Sequence, residues 1–369
     1  VLLHLLADLA KNQSLPPLQA IHVHHGLQAV ADGWPAHCQA VCDAAGVPLR
    51  VMHVQVQSGA SLERAARDAR YQAFAEIIGP SELLLTGQHR DDQAETLLFR
   101  LLRGAGLRGL TGMPALRPLG KGHLVRPLLD MSRAELETYA REQQLNWIED
   151  PSNGDSRFSR NYLRHQVFPL LTARWPQAAN TLARTAGHLA QAQELLDELA
   201  QLDVQAAQRP SALAWLPLPS LALAPLRDLS DARQRNALRY WLAPLTLLPD
   251  SEHWIGWHTL RDARADAQPV WRLSDGQLHR CNDRIWWMPA DWSEISDTPL
   301  SWSHPQNPLQ LPGNGQLYFS GHAPEGPLSI RYRQGGEVME VPGRGRRDLK
   351  RLLNESAVPG FIRGRLPLL

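Results

Sequence analysis

The first 130 residues alternate between short apolar runs and stretches whose apolar positions recur with helical spacing. The apolar runs at 19–26, 49–56 and 82–87 predict strands, and the last is continuous enough to be buried on both faces. The stretches with helical spacing are 32–45, 61–78 and 92–103. Strand–helix alternation predicts a doubly wound parallel sheet with right-handed crossovers, whose ligands bind beyond the carboxyl ends of the strands.

The pattern after residue 130 is first helical and then mixed. Ser132 and Glu135 have the spacing of a capping box at a helix N-terminus. The later segments are a connecting helix with leucines at 182–199, proline-rich sequence at 210–225, a helix at 231–242, tryptophan-rich sequence to 292, a proline-rich linker at 293–315, and a tail with an alternating strand at 328–333, a Gly-Gly turn at 335–336 and a basic helix at 348–356.

These patterns predict an α/β fold in which a doubly wound parallel sheet is followed by a helical connector and two smaller C-terminal domains. The predicted divisions are a catalytic domain at 1–187, a connector with a central domain at 188–294, and a basic α+β domain at 295–369.

Composition narrows the class of protein. Of the 369 residues, 43% are hydrophobic and 20% are charged, which excludes a disordered, collagen-like or coiled-coil chain. The most uncharged tract, 212–226, is broken by three prolines, so no membrane span is expected. Three cysteines, Cys38, Cys42 and Cys281, are too few for a disulfide framework or a structural zinc site, and indicate a reduced, cytoplasmic protein.

Positive charge is concentrated in two segments although the net charge is only +1. Residues 331–369 carry nine Arg or Lys against four Asp or Glu, and residues 151–188 carry five Arg against Asp155 alone. Each segment could be a solvated surface. Together they favour contact with a nucleic acid at two places.

The strongest chemical signal is the run from Asp91 to Thr96, where a buried strand gives way to a helix. Asp92 and Glu95 are three residues apart and share one helix face. Two carboxylates there could hold Mg²⁺ or accept a proton. The alternative, that Asp91 caps the helix and Glu95 is an ordinary surface residue, stays open at this point.

Two further patterns suit phosphate binding. Arg67 and Arg70 project as a row from a predicted helix, with Arg67 next to Tyr71. Gly104 and Gly106 belong to a glycine-spaced loop that allows close backbone approach to a ligand. A solvated arginine face and an ordinary loop are the alternatives. A metal site at the histidines of 22–25 is disfavoured, because strand alternation directs them to opposite faces.

Several motifs, in order along the chain, resemble the tRNA(Ile)-lysidine synthase family, which is similar to other ATP pyrophosphatases of the N type. The matching motifs are IHVHHGL at 21–27, ERAARDARY at 63–71, DDQAET at 91–96, RGAGLRGLTGM at 103–113, RPLL at 126–129, WIEDPSN at 147–153, RNYLR at 160–164, GRGRRDLKRLL at 343–353 and VPGFIRGRLPLL at 358–369.

The resemblance implies a reaction. ATP adenylates the wobble cytidine of a tRNA(Ile) with a CAU anticodon, pyrophosphate leaves, and the amine of free lysine then displaces AMP. It implies ATP and Mg²⁺ as cofactors, tRNA(Ile) and lysine as partners, and leaves formation of a homodimer open.

The resemblance also assigns roles to residues of this sequence. Asp92 is expected to bind Mg²⁺ or position the phosphates, and Glu95 to orient or deprotonate the attacking amine. The residues implied in catalysis are Asp92, Glu95, His89 and Arg67. Those implied to line the nucleotide site are His24, His25, Gly26, Arg70, Gly104 and Gly106. Those implied to hold tRNA are Arg126, Arg160, Asn161, Arg164, Arg344, Arg346, Arg347, Lys350 and Arg351.

One family motif is missing from the printed sequence. The Ser-Gly-Gly-x-Asp-Ser phosphate loop of the family precedes the helix that residues 1–9 resemble, so we interpret the chain as N-terminally trimmed and expect it to bind ATP poorly. Two alternatives remain: a tRNA-thiolating relative with the same fold, which usually needs paired cysteines near the site, and a tRNA-binding relative without catalysis.

Overall fold

The computed structural model describes residues 1–56, 62–211, 213, 215–248, 253–264, 267–293, 299–312 and 315–369. The chain divides into two compact units, Val1–Glu194 and Leu195–Leu369, which are considered separately below. The three-domain division stays a prediction. In the described residues, no helix is both long enough and apolar enough to cross a membrane.

The first unit alternates helices with short strands, as the sequence pattern predicts. Its helices are α1 Leu2–Asn12, α2 Trp34–Ala45, α3 Leu62–Ile77, α4 Arg90–Leu102, α5 Leu107–Leu110, α6 Arg133–Glu142, α7 Ser159–Tyr162, α8 Phe168–Arg174 and α9 Ala178–Ala207, which runs on into the second unit. Its strands are β1 Ala20–His24, β2 Leu49–His53, β3 Leu83–Leu85, β4 Leu116–Leu119 and β5 Gly122–Val125.

The strands of this unit form two small sheets, and each sheet contains one parallel pair of strands. β1 pairs in parallel with β2, so that Ala20 lies opposite Leu49. β3 pairs in parallel with β5, and β4 adds an antiparallel strand to the other edge of β5. The α/β fold class with parallel strands is therefore confirmed, whereas the antiparallel β4–β5 hairpin was not predicted.

Helix ends in this unit follow the local sequence chemistry. The hydroxyl of Ser132 accepts a hydrogen bond from the backbone N–H of Glu135, and the Glu135 carboxylate accepts one from the N–H of Ser132. This reciprocal capping box confirms the predicted start of α6. Gly46, at φ +68°, ends α2 in the left-handed conformation that glycine adopts without strain.

The second unit combines helices with antiparallel strands. Its own helices are α10 Leu223–Arg227, α11 Asp231–Leu242, α12 Ile255–Asp262 and α13 Leu349–Glu355. Its strands are β6 Ser220–Ala222, β7 Val270–Leu273, β8 Gly276–Cys281, β9 Arg284–Pro289, β10 Leu300–Trp302, β11 Leu309–Leu311, β12 Gly315–Leu317, β13 Leu328–Tyr332, β14 Val338–Val341, β15 Gly345–Asp348 and β16 Pro367–Leu368. The order β6-β9-β8-β7 makes the largest sheet among the described residues.

Both faces of strand β9 are buried. Because alternate side chains of a strand point to opposite sides, neighbouring residues of β9 enter two different apolar clusters. Ile285 and Trp287 pack into one apolar cluster with α11 and α12. Trp286 and Met288 pack into a second cluster that includes Ile362 from the C-terminal segment. The tryptophan-rich sequence is therefore the core of this unit.

The prediction of a linker at 293–315 is wrong in part. Residues 294–298 and 313–314 lie outside the described residues, but β10 and β11 lie within the predicted linker. Each has three residues, which is too short for alternation to be visible beside four prolines. By contrast, α11 has the predicted bounds, and α13 begins at Leu349 within the predicted basic helix.

The stability of the second unit should depend on pH through His279. Its ring stacks on Phe361 at 4.5 Å between centroids, and burial lowers its pKa to about 4 from the ordinary 6.5. Between these two values the unfolded chain takes up a proton at this position and the folded chain does not, so the free energy of unfolding should fall as pH falls.

Urea unfolding of the wild type and His279→Gln at several pH values between 4 and 7 measures this contribution. The free energy of unfolding of His279→Gln should fall less steeply than that of the wild type as the pH is lowered. His304→Gln, at an exposed histidine, should show the same fall as the wild type. Equal pH dependence in all three proteins would contradict the prediction.

Candidate active site

The candidate site begins at the N-terminus of α4, directly after the β3 strand. His89 is the N-cap of the helix, and its ring accepts a hydrogen bond from the backbone N–H of Asp92. The Asp92 carboxylate accepts a hydrogen bond from the backbone N–H of His89 at 3.0 Å in return. Thus His89 caps the helix instead of Asp91, and the capping pair fixes the Asp92 carboxylate at the positive end of the helix dipole.

Arg164 holds the two predicted carboxylates together. Its Nε donates to Glu95 Oε1 at 2.7 Å, and its Nη2 donates to Glu95 Oε2 at 2.8 Å and to Asp92 Oδ1 at 3.0 Å. Glu95 is only 3% exposed. Burial alone would lower the pKa of Arg164, but Glu95 and Asp92 outweigh burial and raise it. The arrangement is therefore a site that binds one cation with two carboxylates.

A single helix face also fixes the glycine-spaced loop after α4. The Gln93 side chain donates to the carbonyl of Met113 at 2.9 Å and accepts from the backbone N–H of Met113 at 2.6 Å. Arg100 donates to the carbonyls of Gly109 and Gly112, both at 2.8 Å. Gly112 has φ +71°, and a Cβ there would lie 2.7 Å from the Gln93 side chain, so only glycine fits this approach.

Several guanidinium groups collect beside this loop. Arg67 lies over the Tyr71 ring with Cζ 4.9 Å from its centroid, as the helical spacing predicts. Burial lowers the pKa of Arg70 and of Arg100, and the neighbouring Arg67 lowers both further. The structure therefore brings the predicted Arg67 and Arg70 to Arg100, which sequence reasoning did not single out.

The predicted nucleotide rim lies at the end of β1. His24 Nε2 is 3.2 Å from Asp32 Oδ1. The pKa of His25 is lowered by burial first and then by the nearby Arg70. Gly26 turns the chain at φ +61°. Within the described residues, no group of three or more His, Cys, Asp or Glu side chains could hold a metal ion.

The residues of the first unit that were predicted to contact tRNA differ in their burial and in their hydrogen-bond partners. Arg160 donates to the buried Thr96 hydroxyl at 3.0 Å, next to Glu95. Asn161 holds the preceding turn through the carbonyls of Ser152 and Asp155. Arg126 is 4% exposed. Their contacts with tRNA stay predictions, and Arg164 belongs with the carboxylates.

The predicted tRNA contacts of the second unit lie on the β14–β15 hairpin and α13. Arg344 and Arg351 each pair with Glu355, at 3.0 Å and 3.1 Å. Arg346 and Lys350 are exposed. Among the described residues, this surface therefore carries both paired and unpaired exposed cations, and their roles stay predictions.

Binding of Mg²⁺ by Asp92 does not fit the arrangement of this structure. Oδ1 of Asp92 accepts from Arg164, and Oδ2 accepts from the backbone N–H of His89. Both Glu95 oxygens also accept from Arg164. A divalent cation would first have to displace this guanidinium, so we derive no step through a metal.

Sequence reasoning missed Gln93, Thr96 and Arg100 among the residues that build the site. Asp92, Thr96 and Arg100 are spaced by four, so the helical periodicity that linked Asp92 to Glu95 could have found them. The contact of Arg164 with Glu95 spans 69 residues, and no local pattern could have found it.

Comparison with protein-family models first identifies the domains of this chain as those of a PP-loop protein that carries TilS domains. Residues 1–171 match the model of the PP-loop domain, residues 221–286 match the TilS substrate binding domain, and residues 328–369 match the TilS substrate C-terminal domain.

The particular family follows from full-length relatives. The tRNA(Ile)-lysidine synthase of Pseudomonas fluorescens (strain Pf0-1) is 66% identical over 100% of this chain and 84% of its own length. The proteins of the same name from Pseudomonas aeruginosa and Escherichia coli O157:H7 are 63% and 39% identical, over 100% of this chain and 84% and 86% of their own lengths. This chain belongs to the tRNA(Ile)-lysidine synthase family.

Among solved structures, the U34-tRNA thiolase NcsA from Methanococcus maripaludis matches 51% of this chain and 66% of its own, with 18% identity and a TM-score of 0.41. These values are too low to support an argument about function.

The ion pair at the start of α4 should be worth more than an ordinary surface pair. Arg164→Met leaves Glu95 buried beside Asp92 without its cation, so the free energy of unfolding should fall by about 3 kcal/mol. As a control, Arg157→Met breaks a pair with Asp155 in which the arginine side chain is 88% exposed, and should cost much less stability because solvent screens the pair. Chemical denaturation measures both, and equal losses would contradict the prediction.

Proposed function

We propose that this protein ligates lysine to C2 of the wobble cytidine of a tRNA(Ile) with a CAU anticodon, through ATP-dependent adenylation of the base. Family membership and the PP-loop match support ATP use and a tRNA substrate. The observation that carries the proposal is the pair of carboxylates, Asp92 and Glu95, which binds one cation at the N-terminus of α4.

The first step must make the base reactive. The C2 carbonyl of cytosine is a poor electrophile, but attack of its oxygen on the α-phosphorus of ATP expels pyrophosphate and leaves that oxygen attached to AMP. In this step Arg67 and Arg70 would offset the negative charge that develops on the phosphates, with His89 and Gly26 near the nucleotide.

The second step needs a neutral amine. The ammonium of lysine has a reference pKa of about 10.4, so it must lose a proton before its nitrogen can attack C2. We propose that this ammonium binds beside the two carboxylates without displacing Arg164, because each carboxylate oxygen can accept a second hydrogen bond, and that Asp92 or Glu95 accepts the proton. When the nitrogen bonds to C2, the C2–O bond breaks and AMP leaves.

The reacting base must leave its stack to meet these groups. Trp147 and Tyr162 are 53% and 52% exposed, and both lie in the segment that carries the basic residues Arg160 and Arg164. An exposed aromatic ring is a stacking surface for an unstacked base. We therefore propose that this segment holds the anticodon loop.

Three other predictions complete the proposal. Mg²⁺ is expected to accompany the phosphates of ATP, and no residue of this chain is assigned to it. The protein is expected to act in the cytoplasm, where its tRNA is found. Formation of a homodimer stays open.

The thiolation alternative finds no support in the cysteines. Cys38 and Cys42 are both free, and burial raises the pKa of each thiol. Thiols with raised pKa values are poor nucleophiles at neutral pH, since the thiolate is the reactive form. A pair of such thiols does not favour sulfur transfer.

Incorporation of labelled lysine tests the proposed reaction. The full-length protein should attach lysine to a CAU-anticodon tRNA(Ile) only when ATP is present, and should leave a transcript with uridine at the wobble position unlabelled. Asp92→Asn should lower incorporation by about 100-fold or more, because a carboxylate that handles the amine is lost. The matched control Asp8→Asn, at an exposed aspartate of α1, should be active.

Binding of the same tRNA by filter retention separates the alternatives. Asp92→Asn should bind tRNA as the wild type does. Tight tRNA binding without lysine incorporation by the wild type would support the non-catalytic alternative and overturn the proposed reaction.

The basic C-terminal surface should contribute mainly through phosphate contacts. Arg346→Ala should weaken tRNA binding and reduce the slope of log affinity against log salt concentration by about one. Arg344→Ala removes a guanidinium that already pairs with Glu355, so a smaller change in slope is expected. Affinity measured from 50 to 300 mM salt compares them, and an unchanged slope for Arg346→Ala would refute a phosphate contact.

A further inference from the structure

Six arginines in the first unit form a cationic cluster, here called the guanidinium cluster. Its members are Arg67, Arg70, Arg100, Arg117, Arg126 and Arg160. In the part of the chain that the structure describes, none of the six forms an ion pair with a carboxylate. The cluster therefore differs from Arg164, whose charge is offset by two carboxylates.

One tyrosine lies at the centre of this cluster. Arg67 and Arg117 both lie over the Tyr71 ring, with Cζ at 4.9 Å and 5.1 Å from its centroid. The Arg126 guanidinium lies close enough to the Tyr71 hydroxyl for each group to shift the pKa of the other, and it donates to the carbonyl of Pro114 at 2.6 Å. Tyr71 thus has two guanidinium groups over its ring and a third near its hydroxyl.

The electrostatics of this arrangement are those of a site for an anion. Burial raises the pKa of Tyr71, but Arg67, Arg126 and Arg70 outweigh burial and lower it. The pKa of Arg126 is also lowered, by burial first and then by Arg117 and Arg67, although Tyr71 opposes this. Nε of Arg126 is buried and has no hydrogen-bond partner among the described residues. Like charges crowded in this way repel, and a bound polyanion would relieve the repulsion.

We propose that Tyr71 is a positioning residue that holds Arg67, Arg117 and Arg126 as one array for the polyphosphate of the nucleotide substrate. The inference rests on the proposed function for the identity of that nucleotide. It goes further by assigning a role to Tyr71, which would act on the phosphates through the neighbouring arginines and not by direct contact.

The position of Arg126 favours a compact polyphosphate over the backbone of an RNA. Arg126 is 4% exposed and Tyr71 is half-buried, so the array extends inward from the surface. A chain of linked phosphates is narrow and carries several charges within a short length. The phosphates of an RNA strand are separated by sugars, and the strand is too bulky to follow a guanidinium inward.

Binding of inorganic pyrophosphate to the full-length protein tests the proposal by calorimetry. Tyr71→Phe keeps the ring and removes the hydroxyl, and should weaken pyrophosphate binding about three- to tenfold, since the polar group that interacts with Arg126 is lost. Tyr71→Leu also removes the ring and should weaken it further. Tyr139→Phe, which loses a hydroxyl bonded to His4 on α1, is the matched control and should bind as the wild type does.

A double-mutant cycle separates positioning from a general structural effect. If Tyr71 acts through Arg67, Tyr71→Leu should have little further effect on pyrophosphate affinity once Arg67→Met is present. Additive losses in the cycle would overturn the proposal, as would unchanged affinity in Tyr71→Phe and Tyr71→Leu. Urea unfolding is measured for each variant, and Tyr71→Phe supplies the decisive comparison if Tyr71→Leu does not fold.

A short anticodon stem-loop RNA distinguishes the two sources of phosphate. Its affinity should be the same in the wild type and in Tyr71→Phe. Loss of RNA affinity with unchanged pyrophosphate affinity would assign the array to the RNA backbone and overturn the proposal. None of these measurements needs lysine transfer, so failure of the proposed reaction can be told from failure of the array.

Discussion

The ion pair between Arg164 and two carboxylates is the interaction on which the candidate site depends. Asp92 lies at the N-terminus of α4, where the helix dipole and the His89 cap stabilise its charge. Glu95 is one turn further along and nearly inaccessible to solvent, so it needs a cation within hydrogen-bond distance. Arg164 supplies this cation from a turn of π-helix at Leu163–Val167, a local irregularity often found at functional sites.

The same helix fixes the backbone of the neighbouring loop with polar side chains. Gln93 pairs with both backbone groups of Met113, and Arg100 takes two loop carbonyls. These carbonyls would otherwise need water, because the loop has no regular hydrogen-bonding pattern of its own. Consequently α4 positions the carboxylate pair with Asp92 and Glu95, and it orders the glycine-spaced loop with Gln93 and Arg100.

Much of the first unit could be predicted from local patterns, whereas its long-range contacts could not. The Ser132 capping box, the spacing of Asp92 and Glu95, and the contact of Arg67 with Tyr71 each depend on residues three or four apart. The antiparallel β4 strand has four residues and no alternation to mark it. The assignment of Arg164 to tRNA contacts followed from the family resemblance of its motif, and only tertiary packing reveals the carboxylates that it pairs with.

The two charged parts of the site suit two reactants of opposite charge. An ammonium and a polyphosphate attract each other in solution, and direct pairing would keep the amine protonated and away from the base. α4 separates them, since its carboxylates lie in the first turns and Arg100 lies in the last turn, where the helix dipole stabilises each sign of charge. In the proposed reaction the carboxylates take the proton of the amine and the guanidinium cluster holds the leaving phosphates. If the lysine ammonium paired directly with the polyphosphate, the amine would keep its proton and could not attack the adenylated base. Separate binding of the two charged groups therefore allows the deprotonated amine to reach the base.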